Sequence, residues 1–515
     1  MVNRRQLPRA RSAIITLDGS PLTPRQVEAV AHGARVRLAP VARARLAASR
    51  RALERAAAAG TPLYGVNTGF GSFSRERISS ADLRTLQHNL VRSHASGVGP
   101  PLPDPIVRAT MLLLAASLCR GLSGVRPALV ERLVGMLNAS GGGVVPVVPE
   151  VGSVGASGDL APLAHIALVV IGEGTARING RPMPGARALR AAGIAPLPLE
   201  AKEGLALING THLMAARGAM LLRRVDRLLD AALVAAAMSI DACRATDAFL
   251  DPRVHAARGQ PGQAEVARRL RTMLRGSQVI RSHRKGDPRV QDPYSFRCAP
   301  QVLGAVRDAM GYVKHALATE LGAVTDNPLV LGGRVVSAGN FHGMPIALPL
   351  DVLTLALAHV AGVSERRVYH MLSGSDQESG LPPFLSPRPG LCSGLMIAQY
   401  AAAACCNEIV GLATPASVAN LPTSAGMEDY NSFGPRAAAK AERAAALARS
   451  VIAIELLCAA EGLEYQRPLR SGTAVERAHR AIRRRVRRLT TDRPPAPDIA
   501  AIEALIEDGG LTAGE

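Results

Sequence analysis

The segment Gly152-Ser-Val-Gly-Ala-Ser-Gly-Asp-Leu-Ala-Pro-Leu163 holds the residue types best suited to unusual chemistry. Read plainly, it is a glycine-rich turn ahead of a helix, with Asp159 as N-cap and Pro162 in the first turn. Read chemically, Ala156-Ser157-Gly158 can build an electrophile out of the backbone. The amide nitrogen of Gly158 can attack the carbonyl carbon of Ala156 only where the chain folds very tightly. Glycine permits this because it has no Cβ in the way. Loss of water across Ser157 then leaves an exocyclic methylidene conjugated to a five-membered imidazolone. A helix starting just beyond presents its positive dipole end to the charge that develops when a nucleophile adds.

Ala-Ser-Gly alone is a weak signal, and the flanks decide its meaning. The stretch GSVGASGDLAPLAH resembles the signature of the histidine/phenylalanine/tyrosine ammonia-lyase family, whose prosthetic group is 4-methylideneimidazol-5-one (MIO). The resemblance runs nearly end to end. It takes in Tyr64-Gly-Val-Asn-Thr-Gly-Phe-Gly71, Leu86-Gln-His-Asn-Leu-Val-Arg-Ser-His-Ala-Ser-Gly97 and Lys202-Glu-Gly-Leu-Ala-Leu-Ile-Asn-Gly-Thr211. It continues through Gln291-Asp-Pro-Tyr-Ser-Phe-Arg297, Thr325-Asp-Asn-Pro328, Gly339-Asn-Phe-His-Gly343 and Leu421-Pro-Thr-Ser-Ala-Gly-Met-Glu-Asp429.

The resemblance implies a role for each matching residue. Ala156, Ser157 and Gly158 would form MIO, an electrophile for the substrate amine that makes ammonia a better leaving group. No dissociable cofactor and no metal would be needed. Tyr64 matches the family's catalytic base, which takes the β-proton. To act as an anion its phenol should be lowered by neighbouring cations or dipoles. Arg297 matches the arginine that grips the substrate carboxylate, a task suited to a two-pronged guanidinium. Asn209 matches the asparagine beside the prosthetic group and the amine; otherwise it reads as a helix-start cap. Gln291 and Tyr294 match polar groups of the active site, and Phe341 matches an aromatic wall.

Two positions bear on the substrate, a small amino acid. His94 matches the His of the Ser-His-Ala stretch in histidine enzymes, where phenylalanine-selective plant enzymes carry apolar residues, although some bacterial tyrosine lyases and tyrosine aminomutases also have Ser-His. Glu428 stands where tyrosine and phenylalanine enzymes usually have Gln, and its carboxylate could pair with an imidazole or an amine. The leaning is to histidine, giving urocanate and ammonia; the alternative is tyrosine elimination to coumarate, or a tyrosine aminomutase. Several residues depart from the histidine pattern: Gly426, Met427 and Tyr430 in the LPTSAGMEDY stretch, Gly343-Met344 after Asn-Phe-His, and His212 after Asn-Gly-Thr.

The elements that must position these loops are mostly helices. The 515 residues are 48% hydrophobic but only 3% aromatic, with no Trp, and Ala and Leu dominate. That mix favours helices over sheets. The expected fold is mainly α, a long central helical bundle with a mixed α/β N-terminal part carrying the MIO loop. Residues 1–200 would hold the Tyr64 and MIO loops and 201–515 the long helices, together one compact unit. Within the first part, 11–18 reads as a strand, 23–59 as Arg-rich helix, 104–138 as two helices broken near Gly121, and 174–184 as a hairpin. Apolar residues at helical spacing mark 221–233, 301–324, 348–372, 395–412 and 435–462. Polar connectors fill 281–297, 326–345 and 413–434.

Charge and cysteine content narrow the classes further. The net charge of +20 comes from 61 basic and 41 acidic residues. The basic residues, clustered at Arg4/Arg5/Arg9/Arg11, Arg43–Arg55 and Arg483–Arg488, lack the interleaved aromatics or motif of a nucleic-acid reader. They read as solvated helix faces, and no nucleic-acid partner is expected. Seven scattered Cys without a CxxC pair argue against a disulfide framework or a zinc site. No apolar stretch is read as spanning a bilayer, so no membrane partner is expected and the location is cytoplasmic. The family resemblance implies a homotetramer whose sites draw on three chains.

Overall fold

Helix starts in this chain are set by proline and by polar caps. A computed structural model describes residues 14–512; the expected strand at 11–18 and the first Arg cluster fall partly or wholly outside them. Thr23 closes a capping box with Gln26 ahead of the helix Pro24–Ala31. The helices Pro40–Ala58, Pro127–Asn138 and Pro261–Leu274 each begin on a proline. The Arg-rich run at 23–59 is therefore two helices, not one. Gly33, at φ +104, turns the chain out of the first helix, and a short strand Val36–Leu38 intervenes before Pro40.

The chain divides into two units, each assembled from three separated stretches. The first comprises Met1–Met220, His315–Leu350 and Pro415–Ala439. Ile15–Leu17 pairs in parallel with Val36–Leu38, and Thr175–Ile178 lies between Val145–Pro146 and Arg181–Pro184 in a three-stranded antiparallel sheet. The helix Asp104–Leu118 buries almost every side chain from Ile106 onward, and Leu160–Val170 is nearly as apolar. Each fully buried Leu or Val there contributes roughly 1.5–3 kcal/mol relative to exposure. Arg108 lies inside this core, where its guanidinium donates to the carbonyls of Val30, Leu137 and Gly142. The expected hairpin at 174–184 is present, as is the break between Asp104–Leu118 and Pro127–Asn138. A further hairpin, Leu329–Leu331 with Arg334–Val336, occupies a stretch expected to be an irregular connector. Its turn is Gly332-Gly333, both at positive φ.

The second unit comprises Leu221–Lys314, Asp351–Thr414 and Lys440–Glu515. It is helical, and its interior holds paired charges. Arg367 and Glu455 are both fully buried and form a two-pronged ion pair, with Ser239 and Ser364 donating to the same carboxylate. Four long helices, His212–Ala242, Ala299–Glu320, Met344–Ser373 and Gly434–Tyr465, supply residues to both units. Together they make the fold mainly α, as the composition indicated.

Among the described residues, one helix is by length and composition long and apolar enough to cross a membrane. Met344–Ser373 contains an 18-residue window of mean hydropathy 1.9, of which 61% is buried inside the protein. The same helix carries Asp351, which pairs with Lys440, and the buried Arg367. Most of its apolar window faces the protein's own core, while Leu348 and Leu355 stay exposed.

Candidate active site

The site is built by loops of the first unit. The Ala156-Ser157-Gly158 turn lies between the strand Pro149–Val151 and the helix Leu160–Val170. Gly158 has φ +77, and a Cβ placed there would lie 2.2 Å from the carbonyl oxygen of Gly210. Only glycine fits. The loop is fastened from several sides by hydrogen bonds. Ser153 Oγ donates to the Gly158 carbonyl at 2.9 Å, and Ser432 Oγ to the Gly155 carbonyl at 3.0 Å. Gly343 N–H adds a second donor to Gly155, while Phe433 N–H donates to Val154 O.

Asn209 closes the short helix Glu203–Ile208, so it is a C-terminal residue rather than a helix-start cap. Its Nδ2 donates to the Ser157 carbonyl at 3.1 Å, and Gly210 N–H donates to the same oxygen at 3.3 Å. The sequence reading of Asp159 also needs correction, because its carboxylate does not cap its own helix. It accepts from Leu213 N–H at 2.8 Å and Met214 N–H at 3.2 Å, in the first turn of His212–Ala242. Asp159 thus ties the Ala156-Ser157-Gly158 loop to a second helix, whose dipole favours a carboxylate there. Burial nevertheless pushes its carboxyl up to about 7.

A cavity of about 980 Å³ opens beside this turn. Tyr64, His94, Ala156, Ser157, Asn209, Phe341 and Glu428, all singled out from the sequence, line it. Glu428 meets the turn directly, because Ser157 Oγ donates to its Oε1 at 2.9 Å. Thr423 Oγ1 donates to Oε2 at 3.2 Å, and Thr423 and Glu428 also pair through their backbones. Thr423 was not recognised as functional, although it lies inside the LPTSAGMED stretch. Gly71, at φ +53, brings the tyrosine loop against this one; a Cβ there would sit 2.6 Å from Ser424 Oγ.

Tyr64 does not have the lowered pKa expected of it. Burial holds the phenol above its usual range, and the Glu428 carboxylate raises it further. The one opposing contact is Gly71 N–H, which donates to Tyr64 Oη at 3.1 Å. His94 is shifted down by burial, while Glu428 pulls the other way. Its Nδ1 lies 2.9 Å from the Leu90 carbonyl. A carbonyl can only accept, so Nδ1 carries the proton and Nε2 is left as an acceptor. Of the departing residues, Met427 and Tyr430 line the cavity, and Tyr430 stacks on His342 at 6.2 Å.

Gln291, Tyr294 and Arg297 belong to the second unit and form a cluster of their own. The Arg297 guanidinium donates to Gln291 Oε1 at 2.5 Å and to the Asp292 carbonyl at 3.0 Å, and lies 4.5 Å from the Tyr294 ring centre. They sit at the short helix Tyr294–Arg297, with Tyr294 largely exposed.

Residues 22–484 match the aromatic amino acid lyase family. The chain belongs to that family. This aromatic amino acid lyase is a carbon–nitrogen lyase, and it has close relatives across its length. It is 50% identical over 508 residues to a histidine ammonia-lyase of Anaeromyxobacter sp. (strain K), covering 96% of this chain and 99% of that protein. The crystal structure of histidine ammonia-lyase from Trypanosoma cruzi superposes with a TM-score of 0.88 at 38% identity, covering 97% of this chain and 94% of that one. Tyrosine aminomutase from Streptomyces globisporus gives 0.90 at 35%, covering 97% and 98%.

Proposed function

We propose that this lyase eliminates ammonia from L-histidine to give urocanate, using MIO formed from Ala156-Ser157-Gly158. The observation that carries the substrate is the 50% identity, across nearly the whole chain, to a protein named histidine ammonia-lyase. The residues present suit the group. Glycine at 158 is dictated by the Gly210 carbonyl against it, and donors from Asn209 and Gly210 converge on the Ser157 carbonyl. When formed, MIO supplies an electrophile for the substrate amine.

The chain's own residues do the remaining work. Phe341 supplies an apolar wall, and the neutral His94 offers Nε2 as a hydrogen-bond acceptor. Glu428 provides a carboxylate for the imidazole or the amine, and Tyr64 takes the β-proton. Burial and Glu428 hold its phenol above the usual range, so a neighbouring cation or dipole would help it to ionise. Arg297, with Gln291 and Tyr294, holds the substrate carboxylate and is delivered by another copy of the chain in a homotetramer. The enzyme acts in the cytoplasm.

A second reading, a tyrosine lyase or aminomutase, is favoured by Met427 and Tyr430 in the cavity lining and by the likeness to the Streptomyces aminomutase. Incubating purified protein with histidine, tyrosine and phenylalanine, with products identified by mass, separates the two. Urocanate from histidine alone supports the first reading. Coumarate or a β-amino acid from tyrosine overturns it.

A further inference from the structure

His342 stands between two residues whose places are plain. Phe341 lines the cavity, and Gly343 N–H donates to the Gly155 carbonyl beside the Ala156-Ser157-Gly158 turn. The ring of His342 makes two directional bonds that the proposed chemistry does not use. Its Nδ1 accepts at 3.3 Å from the N–H of Met344, the first residue of the helix Met344–Ser373, where amides lack partners within the helix. A neutral ring that accepts at Nδ1 carries its proton on Nε2. Nε2 lies 3.0 Å from the Tyr430 carbonyl, which can only accept, so the helix start sets the tautomer that the second bond requires. The Tyr430 ring also stacks on the imidazole, with the two planes 28° apart.

Tyr430 lies two residues beyond Glu428. The peptide joining Tyr430 to Asn431 is held on both sides, because Asn431 N–H donates to Asn420 Oδ1 at 3.0 Å while His342 holds the carbonyl. On the upstream side, Thr423 fixes Glu428 through its backbone and its carboxylate. The carboxylate therefore sits on a loop braced within itself by Asn420 and Thr423, and joined to the Phe341 wall by the imidazole. We propose that His342 is a positioning residue for Glu428, a latch that fixes the carboxylate's loop against the wall of the cavity. The proposal rests on the reading of Glu428 as the carboxylate that meets the substrate. Without the Nε2 donor the loop keeps its internal braces but loses its tie to residues 341–343. The carboxylate then drifts relative to the wall and to the Ser157 turn. Misplacement by about 1 Å of a group that orients substrate can cost ~100-fold in rate, and the surviving braces limit the drift to less than that.

A double-mutant cycle in kcat/KM separates positioning of Glu428 from general support of the fold. The substrate is histidine, or tyrosine if that is the amino acid the wild-type enzyme turns over. His342→Phe keeps a ring against Tyr430 but has no donor, and should lower kcat/KM by ~10-fold. His342→Gln keeps an Nε2 donor and an acceptor oxygen, and should stay within ~3-fold of wild type. Placed in a Glu428→Gln chain, His342→Phe should cost less than ~2-fold further, since the carboxylate it positions is gone. A fall of ~10-fold in both backgrounds would overturn the proposal, as would equal losses in His342→Gln and His342→Phe. Apart from the substitution itself, the intact mass of His342→Phe should equal that of wild type. A further difference would place the effect at the Ser157 turn, and would overturn the proposal too. Unchanged kinetics in Glu428→Gln alone would instead overturn the role of Glu428.

Discussion

His212 is one of the departures from the histidine pattern, and its position turns a sequence oddity into a titration. It is buried directly behind Gly210, and neither ring nitrogen has a hydrogen-bond partner among the described residues. Burial alone brings its pKa down to about 4. The unfolded chain therefore binds a proton below about pH 6.5 that the folded chain refuses until about 4, and stability falls as pH drops through that window. Asp241 behaves in the opposite sense. Held by Ser277 Oγ at 2.9 Å but deeply buried, its carboxyl is pushed up to about 7. Between about pH 3.8 and 7 the folded form keeps a proton that the unfolded form has lost, so stability falls as pH rises. Each group contributes about 1.4 kcal/mol per pH unit in its window, and from about 4 to 6.5 the histidine offsets one of the two raised carboxyls, Asp241 and Asp159. Asp241→Asn should remove one opposing carboxyl, so that its thermal midpoint, measured relative to wild type, rises from pH 4.5 to 6.5. His212→Gln should do the reverse, with a midpoint that falls more steeply than that of wild type over the same interval. Parallel profiles for all three proteins would show that neither group titrates as its burial indicates.

At the scale of elements, the short helix Tyr294–Arg297 has few means of staying in place. Four residues cannot sustain a helix by propensity. Its Ser295 carbonyl accepts from Arg367 Nη1 at 3.1 Å, and Arg367 is itself locked to Glu455 inside the second unit. Arg367→Met should cost about 3 kcal/mol, because it leaves a buried carboxylate without its cation. It should also raise KM for the amino acid by ~10-fold or more as Arg297 loses its register. Arg367→Met with Glu455→Met should recover most of the stability but not the KM. Recovery of both would make the ion pair a matter of packing alone. This support was not legible in the sequence, where Arg367 is one arginine among many and lies far along the chain from Ser295. The long helices were legible because their apolar residues repeat at helical spacing, and the site loops because their glycines and polar residues stand in fixed order. Contacts made by a side chain to a distant element left no such trace. Asp159 looked like the cap of the helix it precedes, yet it binds the first turn of another. Thr423 looked like loop filler, yet it sets the angle of Glu428. The acidity of Tyr64 was misjudged for the same reason, since its burial and the carboxylate beside it come from separate stretches.

For the whole molecule, the site residues expected from the sequence are distributed between the two units. The cavity beside Ser157 is lined by residues of the first unit, whereas Gln291, Tyr294 and Arg297 belong to the second. If another copy delivers Arg297, as proposed, two separately inactive variants should repair each other. Tyr64→Phe removes the β-proton base, and Arg297→Met removes the carboxylate grip, so each alone should fall ~100-fold or more in kcat/KM. Co-expressed in equal amounts, they assort at random within a closed oligomer. About a quarter of the sites then combine an intact Tyr64 from one chain with an intact Arg297 from another. Activity should return to about that fraction of the wild-type value, in a species whose mass by light scattering is a multiple of the 53.8 kDa chain. The surroundings of Tyr64 sharpen the expectation, because burial and Glu428 raise its phenol, and a guanidinium brought by another copy would lower it. A mixed oligomer that stays as inactive as its parents would place Tyr64 and Arg297 of the same chain in one site. The need for a second copy would then fall away.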